Sequence, residues 1–518
     1  MLCGWGDARR VPLQSRQEAE TEYPAHTIQQ PIDHLHTPRY APYTNATFTQ
    51  RYFFDSSYYK PGGPVYLYIG GETRGESRFS NLRNGLIKIL MEATGGLGVI
   101  LENRYYGKSW PVEESTTDGL RWLTTEQTIA DNVYFAQHAT FPGVNATGSL
   151  NAPHTPWIMY GGSLAGGQVA FTMKMYNELF AGGIAASAPV FAKWEYPEWY
   201  DPILKYGPSD CISRLVGIID KIDAVITSGD ETAIHEVKEV FGLGAVSDIR
   251  DFAQAISYPL GGPFDYPTPT WQELNWNPPD SSQDFFHFCA NITSPSTPST
   301  TFIDTRLSKY TQGTPWVGLG AYAAYIKRVI VPLCVSGRLD STDAGCFSTH
   351  NATYWSDPTN SGGRSYLYTS CTELGAFIAA PASGPSLISR TLNGSYMQSW
   401  CNQAFPPSSS LNHSIPAHPD TTELIKYGGY TFEAPKLAFI DGEADVWVGL
   451  TVHGGSGVMV SEAKYLIPGG GHHWDSSPRT GVGSVEEEPD LIREAHGWEV
   501  RTVRRWVEGF SEGRGGGK

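Results

Sequence analysis

The sequence predicts an α/β fold, a mostly parallel β-sheet covered by helices on both faces, interrupted by one large helical insertion. Three observations predict it. Short apolar runs alternate with helical stretches up to about residue 189, the same rhythm returns after about residue 424, and between the two it disappears. At 518 residues the chain exceeds the usual one-core length of roughly 100–200 residues. One large domain plus a substantial insertion accounts for the excess.

The first core strand is Val65-Tyr66-Leu67-Tyr68-Ile69, opened by Pro64 and closed by Gly70-Gly71. A helical stretch from about Phe79 to Ala93 leads into a second apolar run, Val99-Ile100-Leu101. A helix from about Thr125 to Thr140 precedes the strand Trp157-Ile158-Met159-Tyr160, which passes through glycines into an amphipathic stretch ending at Asn177. Near the far end, Lys436 to Ile440 and Ala463 to Ile467 read as two more buried strands, and a final helix runs from about Leu491 to Phe510. Between Pro189 and Glu423, helical patches such as Ile234 to Phe241 and Leu319 to Val329 stand among Pro-, Ser- and Thr-rich loops. The expected organisation is a leader remnant or disordered segment over 1–22, an α/β domain formed by 23–189 plus 424–512, a helical cap over 190–423, and a frayed tail over 513–518.

Composition narrows the partners. Hydrophobic residues at 40% supply a core, and charged residues at only 17% argue against extensive disorder. With 37 basic against 53 acidic residues the formal charge is −16, which repels a phosphate backbone and excludes nucleic acid as a partner. The acidic balance is compatible with work in an acidic medium. No run of about 18 apolar residues occurs, so no membrane-spanning helix is expected. The sequence does not encode an oligomeric state in any readable way.

Six of the seven cysteines, Cys211, Cys289, Cys334, Cys346, Cys371 and Cys401, lie inside the insertion, whereas Cys3 stands alone. An even internal set suggests three disulfides rather than buried thiols. Six Asn-x-Ser/Thr sequons, at Asn45, Asn145, Asn291, Asn351, Asn393 and Asn412, point the same way, because they are acceptors only in the secretory pathway. Secretion, or delivery to a lysosome or vacuole, is therefore expected. Met1 to Glu22 is rich in charge and has no apolar stretch of signal-peptide length, so either the start is wrong or the chain is not secreted, and we prefer a mis-assigned first exon.

The strongest chemical signal is Gly161-Gly162-Ser163-Leu164-Ala165-Gly166-Gly167, directly after a strand and at the start of a helical pattern. Dense glycine permits a sharp strand-to-helix turn that lifts the Ser163 hydroxyl clear of the sheet and aims the Leu164 N–H at a developing oxyanion. A structural or phosphate-binding turn is the plainer reading of the same residues. A nucleophilic serine on an α/β-hydrolase fold needs an acid and then a base, in the chain order Ser, Asp, His. Asp445 follows the strand ending at Ile440, with Asp441 and Glu443 as competitors. His472 follows the strand ending at Ile467, with His473 as a competitor. Gly70-Gly71-Glu72 is placed to supply a second oxyanion N–H, from Gly71, although an ordinary turn explains two glycines equally well.

The chain resembles the prolyl carboxypeptidase and dipeptidyl peptidase II family of serine peptidases. The matching words run in order over nearly the whole chain: Gln30 to His34, Phe48 to Tyr52, Tyr68 to Glu72, Glu102 to Ser109, Thr125 to Gln127, Gly161 to Gly167, and His472-His473-Trp474-Asp475. Within that group, Phe241 to Val246, Phe288-Cys289 and Cys346-Phe347 are more similar to secreted, acid-acting prolyl endopeptidases than to animal exopeptidases.

The resemblance implies an α/β-hydrolase fold with a mostly helical, disulfide-stapled cap, and cleavage on the carboxyl side of proline. It implies Ser163 as nucleophile, Asp445 as orienting acid and His472 as base, acting through an acyl-enzyme without metal or cofactor. Trp447 corresponds to an aromatic of the proline pocket, against the alternative of a core tryptophan, and Glu72 is placed with it in substrate binding. Pairing of Cys211 with Cys289, Cys334 with Cys346 and Cys371 with Cys401 follows from proximity and the resemblance. Two departures stand out. Asp445-Val446-Trp447 replaces the usual Asp-Pro-Trp, and Leu164 stands where an aromatic often follows the serine. The rival functions are an esterase or lipase of the same fold and a catalytically silent binding module. Whether cleavage removes one C-terminal residue, removes N-terminal dipeptides or falls internally depends on how the cap closes the cleft.

Overall fold

Apolar runs separated by helical sequence bury both of their faces most completely in a parallel sheet with helices on each side. The structure, a computed structural model, describes residues 22–261, 271, 276, 284–295, 297–332, 347–350, 352–408, 410–411, 413–455, 463–476 and 484–515. Among them, β1 (His26–Pro31), β2 (Thr47–Asp55), β3 (Val65–Ile69), β4 (Leu97–Leu101), β5 (Trp157–Gly162), β6 (Gly182–Ala186), β9 (Leu437–Gly442) and β10 (Ala463–Ile467) form one sheet in the order β1-β2-β4-β3-β5-β6-β9-β10. A short parallel pair, β7 (Lys193–Glu195) and β8 (Gly375–Phe377), lies apart. The pairings from β4 to β10 are parallel, and β1 with β2 and β2 with β4 are antiparallel. This is the α/β-hydrolase fold.

Alternation along the strands divides the core. Leu67, Ile69, Val99, Trp157 and Met159 face one side, with Ile129 and Phe135 of α2 (Thr125–His138) and Val169 of α3 (Leu164–Tyr176). Tyr66, Tyr68, Ile100, Ile158 and Tyr160 face the other, with Leu86 and Leu90 of α1 (Leu86–Thr94) and Ile492, Ala495 and Val503 of α4 (Asp490–Gly515).

Between β6 and β9 the chain builds the large helical insertion, including Ser209–Ser228, Glu231–Val240, Ile249–Ser257, Asp284–Thr293, Leu319–Tyr325 and Gly394–Ala404. Cys211–Cys289 and Cys371–Cys401 bridge it, closing sequence separations of 78 and 30 residues and so restricting the unfolded chain. Cys334, Cys346, Asn351 and Asn412 lie outside the described residues. Asn45, Asn145 and Asn393 are exposed, Asn393 while capping the helix Gly394–Ala404. Asn291 is half-buried, its side-chain amide donating to the His287 carbonyl at 2.7 Å.

Several expectations are corrected. The helical stretch expected over Phe79 to Ala93 is two helices, Phe79–Arg83 and α1, because Asn84-Gly85 interrupts it. The segment expected over Leu319 to Val329 is α-helical only to Tyr325 and continues as a π-helical turn, Ile326–Ile330. The strand β10 is not a buried strand. It ends the sheet, and of its five residues Ile467 alone is buried. The final helix continues past Phe510 to Gly515.

Arg51, Glu102, Arg104 and Ser109, all within the resemblance words, take part in two buried polar clusters. Arg104 Nε and Nη2 donate to Asp131 on α2 at 2.6 and 2.8 Å, and Nη1 donates to the Ile32 and Trp122 carbonyls. Glu102 accepts from Arg51, Ser109 and the Gly75 and Lys108 N–H groups. Arg104 and Asp131 are fully enclosed, so losing Arg104 leaves the Asp131 carboxylate with His34 Nε2, at 2.8 Å, as its remaining side-chain partner. Burial raises the Asp131 carboxyl, but the Arg104 charge and hydrogen bonds outweigh it and hold it below its ordinary range. Arg104→Met is therefore expected to cost about 3–5 kcal/mol in thermal or urea unfolding at neutral pH. Because a depressed carboxylate stabilises above its unfolded pKa and loses that contribution as pH falls through the folded one, the deficit should shrink at strongly acidic pH.

Candidate active site

Ser163 joins β5 to α3 with φ 61° and ψ −132°, outside the ordinary range for a residue with a side chain. Such a conformation costs about 1–3 kcal/mol and persists only where its surroundings enforce it. Two backbone bonds do so, from the Ser163 N–H to the Ala186 carbonyl (2.9 Å) and from the Gly167 N–H to the Ser163 carbonyl (3.1 Å). Glycine is required on either side of the turn. A Cβ on Gly161 would lie 2.3 Å from the Ala165 carbonyl oxygen, and one on Gly166 would lie 2.7 Å from that of Ala186. Leu164 opens α3, so its N–H belongs to the first turn, whose donors have no partner within the helix and whose end carries partial positive charge.

The loop after β3 lies against that turn. Gly71, at φ +71°, places its Cβ position 3.7 Å from the Ala165 Cβ. The Gly70 carbonyl accepts from Arg78 Nε at 3.0 Å, and the Gly75 N–H donates to buried Glu102 at 2.9 Å, which fixes the loop at both ends. Glu72 is partly buried. Burial pushes its carboxyl up, against the opposing charges of Arg78 and His472. The Glu72 charge in turn helps hold the buried Tyr106 hydroxyl well above its ordinary value, after burial itself.

At the far end of the sheet the candidate acids and bases separate cleanly. Asp445, fully buried beyond β9, accepts from the Trp447 N–H at 2.9 Å and meets His472 Nδ1 with its two oxygens at 3.0 and 2.9 Å. The two loops are tied by the Ala444 N–H to the Gly470 carbonyl (2.8 Å) and the Glu443 N–H to the Ile467 carbonyl (3.0 Å). Asp441 is engaged by His453 Nδ1 at 2.5 Å, while Glu443 accepts from Lys205 and the Gly469 N–H at the surface. His473 packs its ring against Gly162, sets its Nδ1 3.0 Å from the Ser476 hydroxyl and donates its N–H to Ser187 Oγ at 2.9 Å. Burial, with the nearby His472 and Arg78 charges, holds the His473 imidazole well below its ordinary value, so it stays neutral. Of the two histidines, His472 is the one paired with a carboxylate.

Trp447 is 7% exposed, its ring parallel to Tyr196 at 5.8 Å and edge-on to Trp199 at 4.8 Å. The Tyr196 hydroxyl donates to the Val446 carbonyl at 2.8 Å, so the residue that departs from the family pattern is anchored through its backbone. Sequence reasoning passed over Tyr196 and Trp199, His453 as the partner of Asp441, and Ser187, which has φ 44° and anchors the His473 backbone. The Tyr-Pro-Glu-Trp-Tyr run over 196–200 was the one local signal for the aromatic group, as an aromatic cluster just past the core strands.

Known proteins share this chain's sequence over most of its length. A 513-residue stretch is 34% identical to the "Probable extracellular serine carboxypeptidase" of Arthroderma benhamiae, covering 95% of this chain and 69% of that protein. Serine protease vicPb of Bipolaris victoriae is 26% identical over 93% of this chain and 89% of its own length. The human thymus-specific serine protease is 26% identical over 83% of this chain and 78% of its own. The family model described as serine carboxypeptidase S28 matches residues 30–486, and with a strand-to-helix serine turn in the same span the chain belongs to that family of serine-type peptidases.

Proposed function

We propose that the protein hydrolyses peptide bonds on the carboxyl side of proline, with Ser163 as nucleophile, His472 as general base and Asp445 as the carboxylate that orients it. The observation that carries this reading is the approach of both Asp445 oxygens to His472 Nδ1, in loops that leave the same C-terminal edge of the parallel strands as the turn holding Ser163 at positive φ. With Nδ1–H donating to Asp445, the opposite ring nitrogen, Nε2, is left with the lone pair a base needs. It takes the Ser163 proton as the hydroxyl oxygen attacks the prolyl carbonyl, then passes that proton to the leaving amine. Water, activated by the same nitrogen, releases the acyl group.

Oxyanion charge is taken by the N–H groups of Leu164 and Gly71, from the helix end and the loop packed on it. Trp447 receives the pyrrolidine ring, which offers apolar area and no N–H, and Glu72 binds a polar group of the peptide next to His472. Residues 23–189 with 424–512 supply the reacting groups, and 190–423 closes over them as a cap. Secretion, or delivery to an acidic compartment such as a lysosome or vacuole, fits the extracellular name of the Arthroderma relative, the two bridges and the exposed sequons at Asn45, Asn145 and Asn393.

Ser163→Ala is expected to lower kcat by about 10⁴–10⁶-fold on a proline-linked amide and to abolish labelling by a fluorophosphonate probe, with thermal stability kept. Asp445→Asn should lower kcat by about 10³–10⁴-fold, because the wrong histidine tautomer is then held. Turnover of simple esters alone, with proline-linked and alanine-linked amides untouched, would overturn the assignment. Trp447→Ala should lower kcat/KM for proline-linked amides by about 10–100-fold and for alanine-linked amides far less. Equal losses on both would make Trp447 a core residue only.

A further inference from the structure

The loop bearing His472 leads into Trp474–Ser476, a turn that rests on a buried acid cluster outside the reacting groups. Asp475 Oδ2 accepts from the Tyr160 hydroxyl at 2.5 Å, and Tyr160 is on β5, three residues before Ser163. The Asp475 carbonyl accepts from His496 Nε2 on α4 at 2.7 Å, while His496 Nδ1 meets Glu488 at 2.8 Å. Asp475 thus ties the histidine loop to the serine strand through its side chain and to α4 through its backbone.

The turn Trp474–Ser476 packs on α4, and there Glu499, one helical turn beyond His496, is near enough to Asp475 for their carboxyls to interact, with both residues fully buried. Asp475 Oδ1 and both Glu499 oxygens receive no donor among the described residues. Two carboxyl groups in contact offer only acceptors to one another unless a proton lies between them, and two bare charges in a dry site repel strongly. We infer that Asp475 and Glu499 share a proton as a buried acid pair, and that the pair positions His472 only while that proton is present.

The surroundings favour retention of the proton. Burial raises both groups. The Tyr160 hydrogen bond and the His496 charge pull Asp475 down and Asp441 pushes it up, but burial outweighs the rest and leaves it raised above the ordinary carboxyl range. For Glu499, burial is followed by the charge and hydrogen bond of Asp475 and the charge of Glu488, all upward. The facing groups are therefore Tyr160 and its stacked neighbour Tyr68 on the sheet, Asp441 with its partner His453 beyond β9, and His496 with Glu488 at α4. Arg78 acts on Tyr68 and His473 nearby.

The shared proton bears on catalysis through the pH profile. A histidine base must be neutral, so a peptidase that uses one gains activity as pH rises and then levels. Loss of the shared proton adds a falling limb on the alkaline side, as the second charge drives Asp475 from Tyr160 and loosens the loop. Stability has the same sign. Carboxyls raised in the fold cost nothing where the unfolded chain is also protonated, below about pH 4, and destabilise increasingly from there up to their folded values.

This inference rests on the reading of His472 as base, and its test has an arm that does not. Glu499→Gln and Asp475→Asn each place a permanent amide donor between the two side chains. In either variant the alkaline midpoint of kcat on a proline-linked amide should move up by about one pH unit or more, with KM little changed. In the Ser163→Ala background the decline of the thermal midpoint between about pH 4 and 7 should flatten on adding the same substitutions. An unchanged decline in that inactive background overturns the shared proton whether or not His472 is the base. A flattened decline with an unmoved kcat profile overturns the positioning role, and one well-folded amide variant is enough to decide either point.

Discussion

A strand and a helix meet at Ser163 with no side chain between them, and the remainder of the site is arranged around that close approach. The carbonyl oxygens of Ala165 and Ala186 occupy the space that Cβ atoms at Gly161 and Gly166 would need. The turn is therefore set by backbone against backbone, where a displacement of a few tenths of an ångström has nowhere to go. Its strain is balanced by hydrogen bonds to β6 and within α3, so the serine oxygen is presented by rigid elements rather than by a mobile loop.

Rigidity in the opposing loops comes from charge buried beneath them. Glu102 gathers Arg51, Ser109, Gly75 and Lys108 at the end of β4, which pins the segment running from Gly70 past Gly75. Arg104 joins the first strand region to α2 through Asp131. Each such group is costly to bury and is retained here with its partners almost fully satisfied, which favours one arrangement of the loops over many.

This explains what was legible in the sequence and what was not. Core strands such as Val65–Ile69 were readable because burial on both faces demands an uninterrupted apolar run. β1 and β2 were not, since an antiparallel edge alternates and Thr47–Asp55 mixes Gln50 and Arg51 with aromatics whose polar partners lie far along the chain. The edge strand β10 misled in the opposite direction, its Leu466 being exposed and only Ile467 buried. Within the site, Ser163 was marked by local glycines. The choice among Asp441, Glu443 and Asp445, or between His472 and His473, turns on which pairs meet in space, and no local spacing encodes that.

Val446 stands where the resemblance leads one to expect proline, and the stretch is held in another way. A proline would limit the backbone between Asp445 and Trp447 by its ring. Here the same stretch is held by hydrogen bonds, from the Tyr196 hydroxyl to the Val446 carbonyl, from the Trp447 N–H to Asp445 within the stretch, and from Trp271 Nε1 to the Ala444 carbonyl at 2.7 Å. Two of these three anchors come from the insertion. The helical region therefore anchors the aspartate loop directly, and the one buried carboxylate of that loop, Asp445, is what meets His472.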